Sequence, residues 1–275
     1  MTLIKKIFDF YLDASIHVAL AIFSLVHVTA LTLNIIVPNA LYFFIFFGSI
    51  SCYNFVKFGV EAEKYILVAN TYQKNIQFFS LGCLLVAVYQ LFFLPANVFL
   101  WLFILAVITG LYALPVLPKN KNFRSLSGLK ILIVAAVWAG ATVILPAVSV
   151  LDEISWNVKI ETAQRFLFVL ILLVPFEIRD LKYDSAALKT LPQRLGVKTT
   201  KMIGFVWTIL FFLITFLKTD LEVALIVVKT ILFLTLIFVV YKTELEQKKY
   251  FSSFWVEAIP LFWWLLFIIW KKYII

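Results

Sequence analysis

Long apolar segments separated by short polar ones run along the whole chain. Nine of them approach the 20 or so apolar residues that a helix needs to cross a bilayer. A shorter amphipathic segment, Met1–Asp13, is expected to lie along a membrane surface. The pattern predicts an all-α fold, a polytopic integral membrane helical bundle of about nine transmembrane helices. The predicted spans are residues 14–37, 39–60, 76–94, 96–116, 128–149, 161–181, 201–218, 221–241 and 252–270.

Composition supports the same class. The 275 residues are 64% hydrophobic and only 14% charged, with a mean hydropathy of +1.03, which excludes a soluble domain of this size. In a membrane protein the net charge of +9 indicates topology and contact with anionic membrane lipids, and we expect no nucleic acid partner. Cys52 and Cys83 both lie in apolar segments, so a disulfide framework is not expected.

The connections between spans differ in length and charge on the two sides of the bundle. Pro38-Asn39, Pro95-Ala96 and Thr219-Asp220 mark very short turns on one side. Most of the Lys and Arg residues lie on the other side, in longer loops that cover residues 61–75, 117–127, 182–200 and 242–251. The positive-inside rule predicts a cytoplasmic N-terminus and an external C-terminus in a bacterial inner membrane, although Lys271 and Lys272 run against it.

An acidic stripe follows the apolar sixth span. Glu177, Asp180 and Asp184 are spaced i, i+3 and i+7, which places them on nearly one line of a helix. Three aligned carboxylates repel one another unless a cation lies among them. Mg²⁺ typically binds one or two carboxylates together with phosphate oxygens. The stripe therefore predicts one Mg²⁺ site.

A second polar stripe ends the second span. Asn54, Lys57 and Glu61 have the same spacing, and both stripes lie at the predicted cytoplasmic ends of even-numbered spans. The simpler reading of this stripe alone is a helix end at which Lys57 snorkels. Together the two stripes predict a shared polar cavity. They also favour an internal helix duplication within a single domain of residues 1–275, with halves of roughly 1–127 and 128–275.

The motif around the acidic stripe resembles the second signature of the UbiA prenyltransferase superfamily. Asp180 and Asp184 followed by Lys189–Gly196, KTLPQRLG, are most similar to its menaquinone branch. Tyr112–Pro115, YALP, followed by basic residues, resembles the family's link between spans four and five. The first signature departs from the family pattern, because Asn54, Lys57 and Glu61 replace three aspartates.

The resemblance implies a divergent prenyltransferase. Such an enzyme moves a polyprenyl group from its diphosphate to an aromatic or other acceptor, in quinone or related lipid biosynthesis. It implies catalytic roles for Asp180 and Asp184, which would hold the Mg²⁺ ion with Glu177. Lys57 is the third expected catalytic residue, and it would bind the diphosphate as a fixed positive charge in place of a second metal. The implied substrate-binding residues are Asn54, Glu61, Tyr112, Lys119, Lys121, Arg124 and Lys189.

Two other readings stay open. Lys57 could pair with Glu61 or with the acidic stripe, which would close the cavity and make the protein a non-catalytic UbiA-fold scaffold or partner. A small transporter is the third class, but both stripes lie at one face only.

The other intramembrane polar residues carry no functional assignment. Lys229 is expected to snorkel or to face the bundle interior, and its depth argues against a direct pair with Glu257. His17 and His27 do not share a helix face, so buried, hydrogen-bonded histidines are expected rather than a metal pair. The residues expected to be solvated at the outer side are Asp152, Glu153 and Glu161.

Overall fold

The computed structural model describes residues 3–60, 71–113, 128–184 and 188–273, and within these ranges every regular element is helical. The first five helices are α1 (Leu3–Asp13), α2 (Ile16–Leu33), α3 (Asn39–Asn54), α4 (Thr71–Leu91) and α5 (Val98–Ala113). They are followed by α6 (Leu129–Ala139), α7 (Leu145–Val148), α8 (Trp156–Asp180), α9 (Leu191–Leu213), α10 (Val223–Lys242) and α11 (Ile259–Tyr273).

Wider or tighter helical turns extend several of these helices. A π-helical segment, Phe55–Val60, continues α3, and another, Gly140–Ile144, joins α6 to α7. A third, Phe251–Val256, precedes α11, and the 3₁₀ turn Ile214–Leu217 ends α9. In the described residues, each predicted span therefore coincides with a helix or a helix with such an extension.

The helices pack side by side around a common interior. Helix α2 packs against α3 and α11, α3 against α4, and α6 against α5 and α8. Helices α8, α9, α10 and α11 then follow one another as neighbours, which returns the order to α2. The interior between α2, α8, α9 and α11 is filled by fully buried side chains of Leu25, Phe168, Phe211 and Trp263.

The outward faces of the bundle are apolar. Helix α4 buries only Ile76, Cys83 and Ala87, while Phe78 and Leu85 on the same helix are 70% and 64% exposed. A helix that is apolar on its exposed side requires lipid around it. The protein is therefore an integral membrane helical bundle, as the sequence predicted.

The number of membrane crossings stays a prediction. Within the described residues, six helical stretches are long and apolar enough to span a bilayer, and Val98–Ala113 is apolar but shorter. The six are Ile16–Leu33, Asn39–Phe58, Leu129–Val148, Leu191–Leu217, Val223–Lys242 and Phe251–Lys272. The duplication into two halves likewise stays a prediction.

One end of the bundle holds a fully buried ionic cluster. The carboxylate of Glu161, which has no exposed surface, lies 2.6 Å from Lys218 Nζ, 3.2 Å from Arg165 Nη2 and 3.7 Å from Lys229 Nζ. The rings of Trp263 and Phe211 lie 4.3 and 4.9 Å from Lys229 Nζ, and Trp263 also stacks on the Arg165 guanidinium. We call Glu161, Arg165, Lys218 and Lys229 the buried cluster.

The buried cluster corrects one expectation and confirms another. The prediction that Glu161 is solvated is wrong, because α8 begins at Trp156 and carries Glu161 more than a turn into the bundle. Lys229 faces the interior, as one of its two predicted alternatives stated. The carboxylate beside Lys229 is that of Glu161, at 3.7 Å. This agrees with the prediction, made from their different depths in the membrane, that Lys229 does not pair with Glu257.

The buried histidine prediction is confirmed for His17. A backbone carbonyl can only accept, so His17 Nε2 donates to Phe254 O at 2.9 Å. His17 Nδ1 must then accept from Tyr11 Oη at 2.6 Å. His27 lies in the same span but between the rings of Tyr42 and Trp264, on a different part of the helix.

Candidate functional site

The acidic stripe lies at the C-terminal end of α8 and in the turn that follows. Glu177 and Asp180 belong to the last turn of the helix, which ends at Asp180. The backbone N–H groups of Tyr183 and Asp184 both donate to the carbonyl of Asp180 at 2.8 Å. Asp184 is therefore held next to the helix end by a backbone turn rather than by a continuing helix.

The TLPQRLG motif forms the start of α9 and fixes this turn. Thr190 is the N-cap residue, and its backbone N–H donates to Gln193 Oε1 at 3.0 Å. Gln193 Nε2 donates in turn to the carbonyl of Asp184 at 3.2 Å. Pro192 lies in the first helical turn, where its missing N–H has no cost, and Gly196 has φ 78° and ψ 162°. The motif is therefore a structural support for Asp184.

Side chains of the protein itself neutralise the stripe. Lys130, in the first turn of α6, places Nζ 3.2 Å from Glu177 Oε1 and 3.9 Å from Asp184 Oδ2. Arg179 donates from Nε to Asp180 Oδ1 at 2.7 Å. Among the contacts of the described residues, Lys130 and Arg179 are basic partners of these carboxylates, and Lys130 comes from another helix.

This geometry does not fit the predicted Mg²⁺ ion. Such an ion takes oxygen ligands at roughly 2.0–2.1 Å in near-octahedral geometry, whereas here the Lys130 ammonium lies between Glu177 and Asp184 and Asp180 faces Arg179. Across the described part of the chain, no group of three or more His, Cys, Asp or Glu side chains is placed to hold a metal ion. We therefore derive no step through a metal ion for this protein.

Asn54, the first residue of the other stripe, is buried in a hydrogen-bond network. Its Nδ2 donates to Ala14 O at 3.0 Å and to Ser80 Oγ at 2.7 Å, and its Oδ1 accepts from Ser15 Oγ at 2.7 Å. The network joins α3 to α4 and to the turn between α1 and α2. Both amide donors are used by protein atoms, so Asn54 is part of the scaffold, and its predicted role in substrate binding stays a prediction.

Lys57 has a partner that the sequence analysis did not consider. Its Nζ lies 3.2 Å from the backbone carbonyl and 3.5 Å from the carboxylate of Asp13, the last residue of α1. The pair is about half exposed, at 42% and 46%. The link before α11 connects the two stripes, because Gln247 Nε2 donates to the Pro175 carbonyl of α8 at 2.7 Å and Lys249 Nζ lies 3.2 Å from Asp9 of α1. Since Lys57 pairs with Asp13 of the same α1, the two stripes lie at the same end of the bundle.

Of the remaining predicted residues, Tyr112 and Lys189 lie in the described ranges. Tyr112 is buried and packs against Val56. Lys189 is exposed and has a left-handed backbone, with φ 45°, directly before the N-cap of α9. The residues that lie outside the described ranges are Glu61, Lys119, Lys121 and Arg124.

One basic partner of the acidic stripe was missed by the sequence analysis. Lys130 lies just after Gly128 at the start of a span, and by sequence alone it looks like any lysine at a helix end. One signal could have found Lys130: it lies on the same predicted side as the acidic stripe, and a membrane-embedded carboxylate requires a cation.

Comparison with known proteins agrees with the fold. No family sequence model matches the chain, and no curated protein matches it by sequence. A UbiA homolog from Archaeoglobus fulgidus, solved with GPP and Mg²⁺, has a TM-score of 0.65 at 12% identity over 94% of this chain and 98% of its own. The same homolog with DMAPP and Mg²⁺ has a TM-score of 0.61 at 11% identity, over 94% and 97%.

A further solved structure is of a digeranylgeranylglyceryl phosphate synthase in membranes. It has a TM-score of 0.59 at 14% identity and covers 95% of this chain and 97% of its own. At these identities the likeness concerns the fold. The chain has the fold of UbiA-type membrane proteins along nearly its whole length.

Proposed function

We propose that this protein is a membrane prenyltransferase that transfers a prenyl group from its diphosphate to an aromatic or other lipid-soluble acceptor. The observation that carries the proposal is that Lys57 and Arg179 lie at the same polar end of a bundle with the UbiA fold. Two solved neighbours contain a prenyl diphosphate, GPP or DMAPP, and the same class of donor is proposed here.

The reaction needs stabilisation of the leaving group. The bond between the prenyl C1 and the diphosphate oxygen breaks with its electron pair on the diphosphate, which leaves an allylic cation. The acceptor atom attacks that cation and loses a proton. Negative charge therefore grows on the diphosphate, and fixed positive charges close to it lower the barrier.

Lys57 and Arg179 are suited to that task. The contact of Arg179 with Asp180 uses Nε, and the side chain is 34% exposed, which leaves further N–H donors for phosphate oxygens. Lys57 is 42% exposed and carries a compact charge with three donors. An ammonium about 4 Å from a phosphate charge gains roughly 4 kcal/mol at an effective dielectric near 20, before desolvation. Lys189 and the basic residues Lys119, Lys121 and Arg124 are proposed as further diphosphate ligands.

A second candidate has its own supporting observation. Lys130 already neutralises Glu177 and Asp184, and Asn54 is bound entirely by protein atoms. Such an arrangement also suits a UbiA-fold protein that binds a partner or lipid without catalysing transfer. We keep this as the alternative.

Prenyl diphosphate binding and turnover separate the two candidates. Purified protein in detergent is titrated with geranyl diphosphate, and diphosphate release is then followed with a panel of aromatic acceptors. The proposal expects saturable binding that Lys57→Ala and Arg179→Ala each weaken about tenfold. The control Lys159→Ala, at an exposed position in the first turn of α8, should leave binding unchanged. Binding without diphosphate release favours the alternative, and no binding refutes the proposed substrate class.

The membrane placement belongs to the same proposal. We place the polar end, the N-terminus and the longer loops in the cytoplasm, and the C-terminus outside, in a bacterial inner membrane. The Lys/Arg asymmetry between the two sides supports this orientation. A reporter fused after Ile275 tests it, and a cytoplasmic reporter would require an even number of spans.

A further inference from the structure

We infer that Lys130 takes the place of a divalent cation between Glu177 and Asp184, so that the polar site of this protein is independent of metal ions. The inference deepens the proposed function, because it states how the site would hold a diphosphate. It rests on three side chains. Lys130 lies in the first turn of α6, Glu177 in the last turn of α8, and Asp184 in the turn that follows α8.

The geometry places one ammonium against two carboxylates. Lys130 Nζ lies 3.2 Å from Glu177 and 3.9 Å from Asp184, and their side chains are 21%, 6% and 18% exposed. Carboxylates this far out of water are costly unless a cation neutralises them, because the lost hydration has to be replaced. Lys130 is the neutralising group that the described residues provide from another helix.

Backbone contacts hold this arrangement in position. Asp184 is bonded through its N–H to Asp180 and through its carbonyl to Gln193, so its backbone is held beside the end of α8. Lys130 is positioned by the start of α6, directly after Gly128, whose φ of 73° turns the chain into the helix. The cation is thus part of the fold and is present before any ligand arrives.

The inference changes what diphosphate binding requires. A carboxylate pair that already holds an ammonium has little remaining attraction for a metal ion. The diphosphate must then be bound by the exposed cations Lys57 and Arg179, together with whichever donors of Lys130 face the ligand. We therefore expect geranyl diphosphate to bind equally well in EDTA and in Mg²⁺.

The first test uses metal alone. Detergent-purified protein without substrate is titrated with Mn²⁺, and free Mn²⁺ is followed by electron paramagnetic resonance. We expect no stoichiometric binding to the wild type up to millimolar concentrations. Lys130→Met keeps the length of the side chain but removes its charge, and it should bind Mn²⁺ at least tenfold more tightly than the wild type.

Lys182→Met is the matched control. Lys182 lies between Asp180 and Asp184 in sequence but pairs with the exposed Glu246 at 2.8 Å. Its removal lowers the net charge of the same end by the same amount without opening the Glu177 and Asp184 pair. It should leave Mn²⁺ affinity at the wild-type value, and Lys130→Arg should do the same because it keeps the cation.

Two results would overturn the inference. One is Mn²⁺ binding to the wild type that Asp184→Asn abolishes, a measurement that does not depend on the folding of any Lys130 variant. The other is a folded Lys130→Met protein with no gain in Mn²⁺ affinity. Neither experiment contains a prenyl diphosphate, so a failure of geranyl diphosphate to bind at all refutes the proposed function and leaves the metal result standing.

Discussion

Replacing Glu161 by Gln should strongly destabilise the protein, because this carboxylate is the only acid in the buried cluster of the described structure. Glu161→Gln keeps the size of the side chain and removes its charge. Three cations would then remain, with Lys218, Arg165 and Lys229 previously 2.6, 3.2 and 3.7 Å from the lost carboxylate. All four side chains are at most 2% exposed, so water cannot replace the lost partner.

The size of the effect follows from this burial. Breaking a buried ion pair by removing one partner costs about 3–5 kcal/mol, since the other charge stays desolvated. For a chain of this size each kcal/mol changes the melting temperature by roughly 2–4 °C, so the expected decrease is roughly 6–20 °C. Lys229→Met should cost less, because it removes the cation farthest from the carboxylate and leaves two cations for one acid.

Thermal unfolding in detergent, followed by intrinsic tryptophan fluorescence, measures both variants. Glu153→Gln is the matched control, because Glu153 is exposed near the same end of the bundle and should leave the melting temperature unchanged. A Glu161→Gln protein that melts within about 1 °C of the wild type would refute the reasoning. It would mean that one of the lysines is neutral in the folded protein or that the cluster is hydrated.

Three further predictions concern the scaffold around the polar end. Asn54→Ala removes three hydrogen bonds between α3, α4 and the α1–α2 turn. It should lower the free energy of unfolding by about 2–3 kcal/mol. An unchanged midpoint of unfolding in a denaturant titration would contradict this. Gly196→Ala imposes a Cβ on a backbone with φ 78° and should cost about 1–3 kcal/mol, whereas Gly82→Ala, with open space around it, should not destabilise α4. The hydrogen bond from Lys249 lowers the pKa of Asp9. The contact between α1 and the link before α11 should therefore persist above the usual pKa of about 3.9 and weaken as the pH falls below it. A spin-label distance between α1 and α11 that does not change in acid would show that this contact does not hold α1 in place.

The elements of the fold were predictable because their signal is local. A run of about 20 apolar residues predicts a membrane helix wherever it occurs, and the helices of the structure follow the predicted spans. The motif Thr190–Gly196 is local in the same sense, because its cap and its non-helical glycine lie within the motif itself. In such cases the residues that form a feature lie within a few positions of one another.

The partners of the charged residues were not predictable in the same way. Spacing along a helix places Glu177, Asp180 and Asp184 on one face, but it cannot say that Lys130 reaches that face from a helix about 50 positions earlier. Lys57 was compared with Glu61 and the acidic stripe, whereas its partner is Asp13, 44 positions away. Glu161 was misplaced for the same reason, because its burial depends on how α8 packs against α2, α9 and α10.

Helix α8 carries one charge cluster near each end, and the different exposure of the two clusters indicates where a substrate could bind. Glu161 and Glu177 are 16 positions apart, which corresponds to about 24 Å of helix. At Glu161 the four charged side chains are at most 2% exposed, so a ligand would have to displace one of these partners. At the Glu177 end of the bundle the cations are one-fifth to two-fifths exposed, with Lys130 beside Glu177 at 21%, Arg179 beside Asp180 at 34% and Lys57 beside Asp13 at 42%. An anion can bind there while these side chains keep their carboxylate partners, since an ammonium or guanidinium has donors for more than one acceptor. Substrate chemistry is therefore expected at the exposed end of α8, and stabilisation of the bundle at the enclosed one.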